Sequence, residues 1–165
     1  MLTIPTPIGC LDAAFDLKGI LTRLMFAPPA MPAGGRLNEA QSLAAKSLVF
    51  EINAYFSGKL REFSFPIAPS GTPFQRRVWD YLTTIPYGKT TTYGQIAKDL
   101  GDANLSRAVG RANGANPIFL LIPCHRVIGA NGQLTGYAGG LEKKAELLKL
   151  ESRQTDCGVT RFLSL

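Results

Sequence analysis

The single histidine of this 165-residue chain stands directly after a cysteine, in the run Pro123-Cys124-His125-Arg126-Val127. Those residue types in that order could do thiol chemistry. The thiolate is the nucleophile, and a free cysteine with a pKa of about 8.5 is mostly protonated at neutral pH. The adjacent imidazole and the Arg126 guanidinium are the groups that could shift that balance. A third candidate lies downstream, in a helical pattern that starts at Leu141. Glu142 occupies its first turn and Lys149 a place near its end, as the helix dipole favours. Glu151, at the C-terminal turn, opposes the dipole at a cost of a few tenths to about 1 kcal/mol. A carboxylate placed there is either solvated or held by a positive partner. A Cys–His–Glu chain would follow the nucleophile, base and orienter logic of acyl-transfer triads.

Several elements must position these groups. The apolar run Phe119-Leu120-Leu121-Ile122 reads as part of a short buried strand over 118–122, stopped by Pro123 so that Cys124 sits at its end. Upstream, Thr72-Pro73-Phe74-Gln75 starts a helix with a capping residue, a proline at the first position and a glutamine at the third. Phe74, Val78, Leu82 and Ile85 line its buried face, and Trp79 beside them reads as core. Pro86-Tyr87-Gly88 breaks that helix. Thr92 caps a short helix over 93–100, closed by Gly101, and Asn104 caps another over 105–113. Two short helices joined by a tight glycine-containing turn give a helix-turn-helix signal, strengthened by Arg107 and Arg111 on the second. A loop with three glycines and Tyr137 leads into the last helix.

The N-terminal part carries no obvious chemistry. Residues 8–17 and 20–26 are two β-rich runs separated by Lys18-Gly19, a hairpin signal, with Cys10 as a small core residue in the first. Residues 28–35 read as a surface loop. Asn38 with Gln41 forms a capping box for a helix whose Leu48, Ile52, Tyr55 and Phe56 share one face and which Gly58 ends. Phe63, Phe65 and Ile67 alternate as a third strand. The expected class is α+β: a support domain over 1–66, a linker, an acceptor domain over 72–153, and a tail over 154–165 that contains Cys157.

Hydrophobic residues make up 45% of the chain, enough for a sizeable core. No stretch approaches the ~20 apolar residues of a membrane span, and the N-terminus shows no export signal. Three cysteines and one histidine match no zinc spacing, so no metal is expected. A reducing, cytoplasmic compartment fits a usable thiol. The net charge is +6 and unevenly spread. Residues 74–153 hold 11 Lys/Arg against 6 Asp/Glu, whereas residues 1–73 hold 6 against 5. The basic excess travels with the motifs, as a phosphate-backbone partner would require.

The ordered set of Tyr93, Ser106-Arg107-Ala108-Val109-Gly110, Asn113 to Pro117, Pro123-Cys124-His125-Arg126, Gly136-Tyr137-Ala138-Gly139-Gly140 and Glu151 resembles the O6-alkylguanine-DNA alkyltransferases over roughly residues 72 to 152. The resemblance implies a ribonuclease-H-like N-terminal domain, a small antiparallel sheet with a helix, and a mainly α C-terminal domain with a winged-helix-like helix-turn-helix. It implies repair of O6-alkylguanine and O4-alkylthymine in double-stranded DNA by a monomer that acts once and uses no cofactor. Cys124 would accept the alkyl group, with His125 relaying its proton through water, Glu151 orienting the histidine and Asn116 bridging helix and active-site strand. Tyr93 would crowd the phosphate of the flipping nucleotide and protonate the departing guanine. Thr92, Ser106, Ala108 and Gly110 would lie along the DNA. Arg107 would fill the space the extruded base leaves. Tyr137, Ala138, Gly139 and Val127 would line the base pocket, with Ala138 offering only its backbone N–H where relatives carry a hydroxyl. Arg126 would be structural. Some relatives hold zinc in the N-terminal half; the ligands here are too few.

Three other readings compete. A thiol hydrolase would use the same triad but needs an oxyanion hole. A non-catalytic damage-binding relative would lack the cysteine. A transcription regulator with the same helix pair would need segments for which this length leaves no room.

Overall fold

The computed structural model describes residues 1–27 and 36–156. The expected loop at 28–35 and the tail cysteine Cys157 lie outside the described residues. Three strands, β1 (Leu2–Ile4), β2 (Leu11–Phe15) and β3 (Leu21–Phe26), form an antiparallel sheet in chain order. Asp16 closes the β2–β3 hairpin by accepting from the backbone N–H of Lys18 and Ile20. Gly19 makes the turn at φ +85, and a Cβ there would come 2.9 Å from the carbonyl of Ala40 on the next helix. That helix, α1 (Glu39–Phe56), starts with the Asn38–Gln41 capping box and buries Leu48, Ile52 and Tyr55. The α+β expectation holds.

Two strand expectations fail for identifiable reasons. Residues 63–67 form no strand and meet β3 through a bridge from Ile67 to Leu21. The N–H of Ser64 is diverted to the Glu51 carboxylate, and Pro66 has no N–H to offer. Leu2–Ile4 takes the third place in the sheet instead, a run too short to carry a period. Cys10 lies outside the strands and is exposed rather than core.

Residues 118–122 are likewise turns, not a strand. Asn116 spends its side chain inside this segment: its Oδ1 accepts from Ile118 N–H at 2.9 Å and its Nδ2 donates to the Ile122 carbonyl at 2.8 Å. Leu120 stands at φ +68, a left-handed conformation that costs a β-carbon residue about 1–2 kcal/mol. The segment meets β3 through a bridge from Ile118 to Leu24 and through the Phe119 ring, 5.9 Å from that of Phe26. The outer edge of β3 is thus covered by two passing segments, at Ile67 and Ile118, and the second leads straight to Cys124.

The remainder is helical. In α2 (Pro73–Thr83) the Thr72–Gln75 capping box is formed. Trp79 is core, as expected, with its Nε1 donating to the Ala112 carbonyl at 2.8 Å. Helix α3 (Tyr93–Asp99) is capped by Thr92. The next cap is Asp102, not Asn104: the Asp102 carboxylate accepts the Asn104 N–H and opens a 3-10 turn, Ala103–Leu105. Helix α4 (Ser106–Gly114) follows without a side-chain cap. Two-residue strands β4 (Thr91–Thr92) and β5 (Val127–Ile128) pair in parallel across the helix pair, and α5 (Leu141–Asp156) ends the described chain. Among the described residues no helix is long and apolar enough to cross a membrane.

Gly71, just before α2, has the Trp79 ring against it; a Cβ would sit 2.4 Å from the indole edge. Gly71→Ala is expected to cost about 1–3 kcal/mol, the usual penalty for overpacking. Urea unfolding of the variant measures it, and unchanged stability would mean that the indole can give way.

Candidate active site

Cys124 begins a 3-10 turn, Cys124–Arg126, that runs directly into β5. Cys124 is 2% exposed, and its carbonyl lies 3.5 Å from Nδ2 of Asn113, near the end of α4. Second in the turn is His125, fully buried, with Nε2 at 2.9 Å from Oε1 of Glu151. The structure therefore brings together three side chains that the sequence spreads over 28 residues, 124–151.

Glu151 lies within α5 rather than in its last turn, because the helix continues to Asp156. The question its position raised, solvation or a positive partner, is decided by Arg126. That guanidinium donates through Nε at 3.0 Å and Nη2 at 2.9 Å to the carboxylate, and through Nη1 to the Ile85 carbonyl. The carboxylate also accepts from the backbone N–H of Gly88 and from the hydroxyl of Tyr55 on α1. Burial alone would raise the Glu151 carboxyl; hydrogen bonds from His125 and Arg126 and their charge reverse this and hold it at about 2.

The same environment leaves His125 neutral. Burial lowers its pKa below the ordinary value, outweighing the opposing pull of Glu151, and the charges of Arg126 and Lys144 act in the same direction as burial. An ionised carboxylate only accepts, so the imidazole proton sits on Nε2 and the lone pair on Nδ1. That Nδ1 is buried and has no hydrogen-bond partner in the protein. A neutral base with its free lone pair inside the site is the product of this geometry.

The thiol departs from expectation. Burial pushes Cys124 up to about 11, against a hydrogen bond from Asn116 and the charge of Lys144. Arg126, one of the two groups expected to favour thiolate, is consumed by Glu151. Cys124 therefore rests as a thiol and needs a base at the moment of reaction.

Nothing local in the sequence marks Lys144. It is fully buried, and its Nζ donates to the carbonyls of Val127 and Thr135 at 2.6 and 2.7 Å. Burial brings it down to about 8. A lysine early in an amphipathic helix reads as surface, and only the tertiary fold reveals that it ties β5 to the glycine loop. Tyr93 meets the same loop, donating from its hydroxyl to the Thr135 carbonyl at 3.2 Å. Gly110 of α4 lies close to the Tyr93 ring.

Of the expected pocket residues, Val127 and Tyr137 are buried, Gly139 is partly covered and Ala138 is exposed. The Tyr137 ring packs on Phe119 at 5.3 Å, and its buried hydroxyl has no partner. Gly139 lies against Phe26 of β3, where a Cβ would come within 2.6 Å. On α4, Arg107 is exposed and Ser106, Ala108 and Gly110 are partly buried. Thr92 spends its hydroxyl on capping α3. Among the described residues no group of three His, Cys, Asp or Glu could hold a metal ion.

Residues 73–153 match the model of the family described as 6-O-methylguanine DNA methyltransferase, DNA binding domain. A methylated-DNA–protein-cysteine methyltransferase of Mycolicibacterium paratuberculosis is 44% identical over 160 residues, 97% of this chain and 96% of that protein. One from Methanosarcina acetivorans is 59% identical over 101 residues, 61% of this chain and 65% of that protein. The crystal structure of Mycobacterium tuberculosis OGT in complex with DNA superposes with a TM-score of 0.79 at 46% identity, covering 92% of each chain.

Proposed function

Since the chain belongs to the methylated-DNA–protein-cysteine methyltransferase family, we propose that it repairs alkylated DNA by moving the alkyl group from O6 of guanine to Cys124. The same attack on O4 of alkylthymine is included. The observation that carries this reading is a buried thiol followed by a neutral imidazole whose Nε2 is held by Glu151 and whose Nδ1 is free. His125 takes the thiol proton through water, and the sulfur attacks the alkyl carbon. The carbon–oxygen bond breaks, and the departing guanine is protonated by Tyr93. Asn116 bonds toward the sulfur and holds the segment leading to it. The product is a thioether, which this site has no means of hydrolysing. Each molecule acts once.

A cysteine only 2% exposed cannot meet a base that stays stacked in a duplex. The nucleotide is extruded and enters between Val127 and the loop of Tyr137, Ala138 and Gly139, where the Ala138 N–H donates to the guanine oxygen. Thr92, Tyr93, Ser106, Ala108 and Gly110 lie along the DNA, and Arg107 enters the gap. The working unit is a cytoplasmic monomer, with residues 1–66 supporting an acceptor domain over 72–153. No cofactor takes part. A duplex carrying one methylguanine per strand should be repaired in a burst of one equivalent per protein. Continued turnover would contradict the thioether end point.

Arg107→Ala separates a gap filler from a phosphate contact. Extrusion costs a few kcal/mol, part of which an inserted side chain offsets. The variant should react with free O6-benzylguanine almost as wild type does, and its repair of duplex should be slowed far more than its repair of single strand. Equal slowing on all three substrates would sink the assignment.

A further inference from the structure

We infer that Tyr55, on α1 of the N-terminal half, is a positioning residue for alkyl transfer, its hydroxyl competing with His125 for one oxygen of Glu151 and so tuning the histidine. The inference rests on the relay proposed above. Tyr55 Oη lies 2.7 Å from Glu151 Oε1, the same oxygen that accepts from His125 Nε2 at 2.9 Å and Arg126 Nη2 at 2.9 Å. The other oxygen takes the Gly88 N–H and Arg126 Nε. Tyr55 is fully buried, and its ring is fixed by Phe56, Phe63 and Tyr87 at centroid distances of 5.3, 5.2 and 5.9 Å. Burial and the neighbouring carboxylate hold its hydroxyl well above the usual tyrosine range, so it remains a donor at any working pH.

The N-terminal half therefore reaches into the reaction centre rather than merely supporting it. The ionisable groups around His125 and Tyr55 are Glu151 and Lys144 on α5, Arg126 and Cys124 in the 3-10 turn, and Tyr87 with Arg61 against its ring. The one that titrates nearest an imidazole is Lys144, which burial brings down to about 8, on the alkaline side, so the acid limb belongs to His125. Removing the Tyr55 hydroxyl leaves more negative charge on Oε1 for the His125 N–H. The imidazolium is then favoured, and protonation moves to higher pH.

Tyr55→Phe in the full chain tests this while keeping the ring packing. Because the chain has a single histidine, its imidazole NMR signal titrates without ambiguity. The midpoint should rise by about half to one pH unit, a three- to tenfold change in the protonation equilibrium. The acid limb of the rate of Cys124 alkylation by free O6-benzylguanine should move by the same amount. A histidine titration that coincides with wild type would overturn the role of Tyr55 and leave the relay standing. Uniform slowing without a shifted limb would also overturn it, by reducing Tyr55 to packing. A wild-type rate profile with no acid limb would overturn the relay itself and this role with it.

Discussion

Cys124→Ser is expected to abolish alkyl transfer and to leave DNA binding intact. Serine keeps the shape of the side chain, so the 3-10 turn and the segment stapled by Asn116 have no reason to change. What disappears is the soft, ionisable atom. A serine hydroxyl is a weak nucleophile at its free pKa and depends on an adjacent base for activation. Here the base is built to help a thiol that burial has already pushed up to about 11. A hydroxyl starts several units higher and its oxygen is a far poorer nucleophile than sulfur toward an alkyl carbon. The measurement is repair of a methylguanine duplex alongside binding to the same duplex. Repair by the serine variant at anything near the wild-type rate would remove Cys124 as acceptor.

The second large effect concerns Glu151, where chemistry and stability share one carboxylate. Glu151→Gln leaves the buried Arg126 guanidinium without its counter-charge, and breaking a buried pair in this way costs about 3–5 kcal/mol. It also removes the charge that fixes the Nε2–H tautomer of His125. Transfer should slow by ~10²–10⁴-fold, the usual contribution of a positioned acid or base, and His125→Ala should match it in rate without the same loss of stability. The pH dependence has a definite sign. Glu151 is held at about 2, below its ordinary value of 4.5, so its stabilisation is complete above the ordinary value and is lost as pH falls through about 2. His125, also depressed, adds stability that is present above its ordinary 6.5 and is lost below it. Both terms weaken the wild type towards acid. Denaturation midpoints measured against pH should show this, and the lower step should vanish in Glu151→Gln. Variants that match wild type in rate across neutral pH would contradict the relay.

Local signals gave part of this architecture. The Asn38 and Thr72 capping boxes, the Thr92 cap and the buried Trp79 were legible because each depends on residues within one turn or on a strong apolar period. The adjacency of Cys124 and His125 marked the site, whereas the dipole argument for Glu151 rested on a helix end that the structure moves to Asp156. Arg126, expected to be structural, holds the Glu151 carboxylate and the Ile85 carbonyl. What failed was long-range or competitive. Phe119 to Ile122 are apolar enough for a strand, but Asn116 captures the donor and acceptor that a ladder needs. Phe63 to Ile67 alternate as a strand should, but Glu51 captures the Ser64 N–H. Tyr55 and Lys144 carry no local mark at all. Each looks like an ordinary helix residue until the fold places its polar end 2.6 to 2.7 Å from groups far away in the chain.

Alkyl transfer to Cys124 is tested by incubating the protein with an excess of an oligonucleotide containing O6-methylguanine, weighing the intact chain and sequencing its peptides by mass spectrometry. The protein should gain one methyl group per molecule, carried as a thioether on the peptide containing Cys124, with guanine restored in the DNA. Methyl found on Cys10 or Cys157, or lesions lost with no methyl retained by the protein, would contradict transfer to Cys124.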